Sequence, residues 1–144
     1  MKIRKYNESD SKNIKRLVYK VLFEIFKSKP SGLNDLGNIK KNYDVFYVLE
    51  DKGKIIGCAG IQEYKENIAR LKRLYLDKNY RGKGYGLKLL EKQLKSAKKL
   101  GYKKIMFSSH KKFESALNLY KKFKFVQYMK RGDQLFFRKS LRWK

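Results

Sequence analysis

The sequence is poor in cysteine, histidine and proline, and the first two shortages exclude whole kinds of site. Cys58 is the only cysteine, so this chain cannot form an internal disulfide. Its apolar neighbours, residues 55–60, favour a buried structural thiol over a nucleophile. The only histidine, His110, lies far from Cys58 along the chain. The sequence therefore supplies no cluster of metal ligands, and we expect no metal.

Long apolar runs are also missing. No stretch approaches 18 uninterrupted apolar residues, and residues 1–6 lack the apolar segment of a secretory signal. We therefore expect a cytoplasmic protein without a membrane partner.

Acidic residues are scarce beside basic ones. The chain has 38 Lys and Arg against 13 Asp and Glu, which gives a formal net charge of +25. Such a charge attracts polyanions, nucleic acids among them. Only eight of the basic residues are arginine, the residue preferred for bidentate contacts to bases and phosphates. The lysines are scattered without a basic tail, which indicates a solvated surface and disfavours a nucleic-acid partner.

Apolar residues are plentiful enough for a core. The chain is 42% hydrophobic and 15% aromatic over 144 residues, which fits one folded domain spanning residues 1–144. Seven apolar residues with helical spacing predict an amphipathic first helix: Ile14, Leu17, Val18, Val21, Leu22, Ile25 and Phe26. A later helix has its predicted apolar face at Leu87, Leu90, Leu94, Ala97 and Leu100.

The rest of the pattern predicts strands separated by turns. We expect strands over residues 2–6, 43–50, 54–64, 68–76, 104–108, 125–129 and 135–141, and further helices over 33–41 and 112–122. The order is β-α-α-β-β-β-α-β-α-β-β. This order is typical of an α/β domain with a mixed sheet.

A glycine-rich stretch carries the clearest chemical signal. A strand ends at Leu76, four residues turn, and Arg81-Gly82-Lys83-Gly84-Tyr85-Gly86 leads into the next helix. Glycines allow successive backbone N–H groups to face one anion, and the helix N-terminus adds a positive dipole. Arg81 and Lys83 bring charge to the same place, so the stretch predicts a phosphate-binding loop.

Three known patterns of phosphate-binding loop can be compared with this stretch. No Gly-Lys is followed by Ser or Thr, as a Walker loop requires, and the spacing differs from the G-x-G-x-x-G of dinucleotide folds. The third pattern, [Arg/Gln]-x-x-G-x-[Gly/Ala], fits residues 81–86 in full.

With this loop the chain resembles the GNAT superfamily of N-acetyltransferases, in which the motif binds the pyrophosphate of acetyl-CoA. Residues 71–76 look like the family's fourth strand at the usual distance upstream. Residues 116–125 look like its A-x-x-L-Y-x-x-x-G-F helix and strand. The topology also matches, so the resemblance covers essentially the whole chain.

The resemblance implies direct transfer of an acetyl group from acetyl-CoA to a primary amine of a small molecule or a protein. It places the pyrophosphate on the loop amides of Arg81, Gly82, Lys83, Gly84, Tyr85 and Gly86. The backbone of Leu74, Tyr75 and Leu76 would pair with the pantetheine arm and polarise the thioester carbonyl.

The resemblance also suggests the acid and leaves the base open. Tyr120 matches the family's general acid, although it also lies on an apolar helical stripe and could belong to the core. Many members carry a base Glu on the fourth strand, where Arg70 stands here. Glu63 and Glu66 are the nearest carboxylates, and a route through ordered water is equally open.

Two further positions depart from the family pattern. Phe113 stands where an Asn is frequent, and Lys124 replaces the Gly of the G-F pair, so we expect a different turn into the sixth strand. A non-catalytic acyl-CoA-binding domain and a basic nucleic-acid-binding domain remain as alternatives.

The acceptor is less defined. The few acidic residues disfavour polycationic acceptors, and favour a small neutral or anionic amine or a protein amine. Homodimerisation through a sheet edge is also open.

Overall fold

The computed structural model describes residues 1–141 as a seven-stranded mixed sheet with helices packed on it. The elements are β1 (Lys2–Lys5), α1 (Ser11–Phe26), α2 (Ile39–Asn42), β2 (Val45–Asp51), β3 (Lys54–Lys65), β4 (Ile68–Leu76), α3 (Tyr85–Lys99), β5 (Lys104–His110), α4 (Glu114–Lys122), β6 (Val126–Arg131) and β7 (Gln134–Ser140). Short 3₁₀ helices lie at Glu8–Asp10, Asn34–Asn38 and Lys78–Tyr80. The predicted order and α/β class are confirmed, with boundaries shifted by a few residues.

The strands lie in the order β1-β2-β3-β4-β5-β7-β6. Every neighbouring pair is antiparallel except β4 and β5, which run parallel and are joined by the crossover helix α3. Only Ile68, Ala69 and Arg70 of β4 pair with β5. Beyond Arg70 the two strands separate, and within residues 1–141 no strand pairs with the β5-facing edge of β4.

A bulge bends β4 where the strands separate. The register against β3 shifts between the pairs Cys58↔Tyr75 and Gly60↔Lys72. Within that shift Arg73 adopts φ of 60°, which is uncommon for a residue with a side chain. The bulge redirects the side chains of the second half of β4.

Helix α1 packs on one face of the sheet as the apolar spacing predicts. Ile14, Leu17, Val18 and Val21 are buried, with Leu22 and Ile25 packed at the margin of the same cluster. This helix ends near the opening between β4 and β5, so its last turn becomes part of the site.

Helix α3 packs on the sheet through a stripe that differs from the predicted one. Its buried residues are Leu89, Leu90, Gln93 and Ala97, whereas Leu87 and Leu100 are 37% and 53% exposed. Gln93 enters the core because its Nε2 donates to the Gly60 carbonyl at 2.9 Å. The spacing of apolar residues cannot predict that a polar residue lies in the buried stripe.

Candidate functional site

The glycine-rich segment forms an open cradle of backbone amides in front of α3. Gly82 and Gly84 have φ of 77° and 88°, the left-handed conformation that glycine adopts without strain. A Cβ at either position would meet nothing within 4 Å. The first amide after the cradle to reach a backbone carbonyl is that of Lys88, which donates to Gly84 at 3.2 Å. Among residues 1–141 the amides of residues 82–87 have no hydrogen-bond acceptor, so they remain for a ligand, as an anion site requires.

Arg81 anchors this cradle instead of presenting an unpaired charge to it. Its Nε donates to the Leu76 carbonyl at 3.0 Å, and its terminal nitrogens donate to the Glu24 carboxylate at 2.6 and 3.1 Å. This differs from the expected phosphate-facing role of the Arg81 side chain. The exposed Lys83 is left as the side-chain cation of the loop.

Asp77 fixes the turn between β4 and the cradle. Its carboxylate is buried and accepts from the Asn79 N–H and from Lys20 Nζ, each at 3.0 Å. Burial by itself raises the pKa of this carboxyl, but the two hydrogen bonds outweigh burial and leave the pKa below its usual range. The turn is therefore tied to α1 on the same side as the Arg81–Glu24 pair.

A cavity of about 750 Å³ lies where β4 and β5 separate. The two strands, the last turn of α1, residues 28–31, helix α4 and the β6–β7 hairpin all contribute to its lining. Two residues of the predicted pantetheine segment, Leu74 and Tyr75, line it. Leu76 is not among the lining residues, and its carbonyl accepts a hydrogen bond from Arg81 at the loop end of the strand.

Tyr120 belongs both to the core and to this cavity. Its ring packs on Phe107 at 4.4 Å between centroids and on Phe125 and Phe137 at 5.9 and 5.7 Å. The side chain also lines the cavity beside Tyr75. Burial, with a smaller effect of Tyr75, raises the pKa of the Tyr120 hydroxyl well above its usual value. The phenol therefore keeps its proton across the physiological range and can act as a donor.

The structure does not bring Glu63 or Glu66 to the cavity. Glu63 is exposed and pairs with Ala69, whose side chain faces the α3 side of the sheet. Arg70, the next residue of β4, lines the cavity on the opposite face. Glu66 lies in the exposed turn after β3. Neither carboxylate is positioned to take a proton from an amine inside the cavity.

A buried ion pair shapes one wall. Arg73 Nε and Nη2 donate to the Asp35 carboxylate at 3.0 and 2.6 Å, and Nη2 also donates to the Gly32 carbonyl at 2.8 Å. The Tyr43 hydroxyl donates to the same carboxylate. Burial opposes ionisation of Asp35, but these donors keep the pKa of its carboxyl below the usual range. The pair holds the segment before α2 against the β4 bulge.

Cys58 is a structural thiol, as its neighbours suggested. It is fully buried, and burial raises its pKa to about 12. Within residues 1–141 no group of three or more His, Cys, Asp or Glu could hold a metal ion, and no helix is long and apolar enough to cross a membrane.

The two departures from the family pattern have different consequences. Phe113 stands at the start of α4, lines the cavity and packs on Phe26 and Tyr75, so it replaces a polar contact by an apolar wall. Lys124 adopts φ of 62°, the conformation that favours glycine. The turn into β6 therefore forms without a glycine, and its difference from the family's turn stays a prediction.

Two residues that support the site, Glu24 and Asp35, were not predicted from the sequence. Glu24 is 57 residues from Arg81, and Asp35 is 38 residues from Arg73. The only local signal for Glu24 is that it is the single acidic residue of α1. No local signal marks Asp35, because its partner is set by the folding of β4 against the segment before α2.

A family comparison agrees with this geometry. Residues 13–125 match the model of the Acetyltransferase (GNAT) family, which is most of the chain. The protein therefore belongs to the GNAT family.

Individual relatives support the same assignment. Over 95 residues the chain is 29% identical to an uncharacterized N-acetyltransferase of Methanocaldococcus jannaschii, covering 62% of this chain. The match spans 42% of that relative's length. The structure of a GNAT-family acetyltransferase from Staphylococcus aureus Mu50 superposes with a TM-score of 0.87 at 25% identity, over 98% of this chain and 99% of that one.

A further solved structure shares the fold. The PaiA N-acetyltransferase of Thermoplasma acidophilum, solved with coenzyme A, has a TM-score of 0.81 at 20% identity, covering 96% and 98% of the two chains.

Proposed function

We propose that this protein is an acetyl-CoA-dependent N-acetyltransferase that transfers the acetyl group directly to a primary amine. The observation that carries the proposal is the open amide cradle at residues 82–87, which follows the end of β4, together with the cavity that the same strand lines at Leu74 and Tyr75. An anion site at one end and an unpaired strand edge beside it suit a long ligand with a phosphate head and an amide-rich arm.

The cradle is the proposed pyrophosphate site. Backbone amides of the loop and the N-terminus of α3 would hold the diphosphate, with Lys83 adding charge. The β4 edge after Arg70 has free main-chain groups to pair with the pantetheine arm, since β5 has moved away. The thioester would then lie near Leu74 and Tyr75, where a backbone N–H can polarise its carbonyl.

Tyr120 is the proposed acid. As the amine attacks and the C–S bond breaks, the sulfur leaves as a thiolate and needs a proton or a hydrogen bond. The Tyr120 hydroxyl, protonated and lining the cavity, can supply it.

Water is the proposed proton acceptor for the attacking amine. Within residues 1–141, no Asp or Glu lines the cavity. His110 lines it, but its Nδ1 accepts from the Lys112 N–H at 3.1 Å and its Nε2 faces Asp133 at 3.8 Å. Since the nearby bases are absent or engaged, the amine proton would leave through ordered water.

Binding of acetyl-CoA tests the proposal. We expect isothermal titration calorimetry to detect binding of acetyl-CoA to the wild type, and we expect CoA thiol release with a panel of amines. Absence of acetyl-CoA binding at millimolar concentration would overturn it. Binding without thiol release would favour the non-catalytic domain, and preferred binding of a short DNA duplex at physiological salt would favour the nucleic-acid alternative.

A glycine pair makes this test specific to the cradle. Gly84→Ala forces a side chain into φ of 88° at the ligand-facing loop, whereas Gly53→Ala does the same at φ of 80° in the β2–β3 turn. Both variants should lose about 1 kcal/mol of stability. Only Gly84→Ala should raise the Kd for acetyl-CoA, by about 10-fold or more, and equal Kd values for the two variants would argue against the cradle.

Three expectations stay predictions. They are a single domain over residues 1–144, of which 142–144 lie outside the described residues, a cytoplasmic location, and self-association through a sheet edge. Sedimentation velocity measures the last directly.

A further inference from the structure

The charged side chains that line the cavity are all basic. Among residues 1–141 the charged lining residues are Lys29, Arg70, Lys72 and Arg73, and the lining includes no Asp or Glu. Since a cavity built for a cationic acceptor would present carboxylates, the sign of its charge carries information about the acceptor.

Three of these cations have no carboxylate partner in the described part of the chain: the exposed Lys29 and the partly buried Arg70 and Lys72. Arg73 is neutralised by Asp35. Arg70 and Lys72 form no ion pair within residues 1–141, although they are partly buried. The Arg70 guanidinium carbon lies 4.4 Å from the centroid of the Tyr64 ring, a cation–π contact, and within residues 1–141 its N–H groups donate no hydrogen bond.

Arg70 and Lys72 also lie together. They are two residues apart on β4, so their side chains leave the same face of the sheet. Burial lowers the pKa of Lys72; Asp35 opposes this, while the positive charges of Arg73 and Arg70 add to it. Two partly desolvated like charges are unfavourable unless an anion lies between them.

The phosphates of CoA are badly placed to be that anion. Arg70 precedes Leu76 by six residues, and a strand rises by ~3.3 Å per residue, so the pair begins about 20 Å before the loop end of β4. The cradle of residues 82–87 follows that end. The two sites are therefore separated along β4. The Arg70–Lys72 pair lies at the end of the strand away from the cradle, where we expect the acceptor to bind.

We propose that Arg70 and Lys72 bind the carboxylate of the acceptor, and that the acceptor is a small amino carboxylate such as a free α-amino acid. The aromatic residues Phe26, Tyr64, Tyr128 and Phe136 in the same lining would contact its side chain. This inference rests on the proposed acetyltransferase function and names the class of amine that the site takes.

Matched acceptors test the charge preference. Phenylalanine, phenylalaninamide and phenethylamine share a ring and a primary amine but differ in the carboxylate. We expect kcat/KM for thiol release to be about 10- to 100-fold higher for phenylalanine, the value of one or two charge-assisted hydrogen bonds. Phenylalaninamide has the less basic amine, so in the comparison of phenylalanine with its amide amine ionisation works against this result and cannot produce it.

Matched variants locate the effect. Arg70→Met and Lys72→Met should raise KM for phenylalanine about 10-fold or more, change kcat/KM for phenethylamine much less, and leave the acetyl-CoA Kd unchanged. Arg16→Met and Lys40→Met remove exposed charges outside the cavity lining and should change none of these values. Arg70→Glu should reverse the preference, so that phenethylamine becomes the better acceptor.

A binding measurement separates failure of this inference from failure of the proposed function. Saturation-transfer NMR of phenylalanine with the CoA-saturated protein should show binding that Arg70→Glu abolishes, and this would support the site even without thiol release. If acetyl-CoA binds and the uncharged or cationic amines are preferred, the amino-carboxylate inference is overturned and the enzyme remains. If phenylalanine neither binds nor reacts, the inference fails whatever the result for acetyl-CoA.

Discussion

At the scale of single residues, Tyr120 has two environments at once. Its ring is held in an aromatic cluster with Phe107, Phe125 and Phe137, and one side of it lines the cavity. The alternatives of core residue and catalytic acid are therefore compatible. The packed ring fixes where the hydroxyl points, which is what a proton donor needs.

Replacing Tyr120 by Phe removes the hydroxyl and keeps the packing. We expect kcat for thiol release to fall by about 100-fold, the usual contribution of a positioned acid, with the Kd for acetyl-CoA little changed. Steady-state kinetics together with calorimetry measure both quantities. Phe107→Leu serves as a packing control, and an unchanged kcat for Tyr120→Phe across the pH range would remove Tyr120 from the mechanism.

At the scale of elements, the loop and α1 are joined by the Arg81–Glu24 pair. Because Arg81 is engaged with Glu24 and Leu76, we infer that it positions the cradle and does not contact the pyrophosphate. If Arg81 positions the cradle, binding of acetyl-CoA depends on Glu24 as well. If Arg81 contacts the pyrophosphate directly, binding depends on Arg81 and much less on Glu24.

A double-mutant cycle distinguishes the two roles. If Arg81 positions the loop, Arg81→Met and Glu24→Gln should each raise the acetyl-CoA Kd by about 3- to 10-fold, and the double variant should add little. Glu91→Gln on the exposed side of α3 is the control. A large loss for Arg81→Met beside a silent Glu24→Gln would show direct phosphate contact instead.

Helix α4 is followed by Lys124, which has a left-handed conformation although it is not glycine. The Phe125 N–H donates to the backbone carbonyl of Tyr120 at 3.1 Å, and the Lys124 N–H donates to the backbone carbonyl of Lys121 at 3.0 Å. These are the two bonds of a Schellman motif. Lys124 takes the strained position of that motif, with φ of 62°.

Glycine at this position should therefore stabilise the protein. We expect Lys124→Gly to raise the free energy of unfolding by about 0.5–1 kcal/mol, since relief of strain exceeds the added freedom of the unfolded chain. The melting temperature should rise by about 1–4 °C. Lys121→Gly, within the helix, should instead lower stability by a similar amount, and a loss for both variants would contradict the strain argument.

At the scale of the whole molecule, the few acidic residues carry much of the electrostatic stability. Asp10 accepts from Arg4 at 2.7 and 2.9 Å and from the Asn7 N–H, and the Arg4 hydrogen bond chiefly lowers the pKa of its carboxyl. Asp35 and Asp77 also have lowered pKa values. In a chain of net charge +25, each carboxylate that becomes protonated adds to self-repulsion.

Stability should therefore fall steeply in acid. A lowered folded-state pKa means that the stabilisation is complete above the unfolded value of ~3.9 and is lost as the pH falls through the folded value. We expect the urea midpoint to be steady from pH 8 to pH 5 and to drop below about pH 4. Asp10→Asn should lower the free energy of unfolding by about 1–3 kcal/mol at pH 7 and make the urea midpoint depend less on pH. Glu8→Gln, at an exposed position, should show the same pH dependence as the wild type.

Much of the fold follows from local sequence. Apolar spacing predicted α1, the succession of helices and strands along the chain and the turns, because helix and strand periods are properties of short segments. The glycine-rich motif at residues 81–86 could be recognised for the same reason, since glycine conformation is a local property. The buried stripe of α3 was misplaced because Gln93 becomes part of the core only through its bond to Gly60.

The sequence by itself determined the fold class, the loop and the excess of positive charge, since each depends on neighbouring residues or on composition. The tertiary structure decided how that charge is used. It paired Arg81 with Glu24 and Arg73 with Asp35 across distant segments, and left Arg70 and Lys72 facing a cavity to which residues 1–141 contribute no carboxylate. Pairing of charges depends on which surfaces meet, and only the packed sheet and helices fix that.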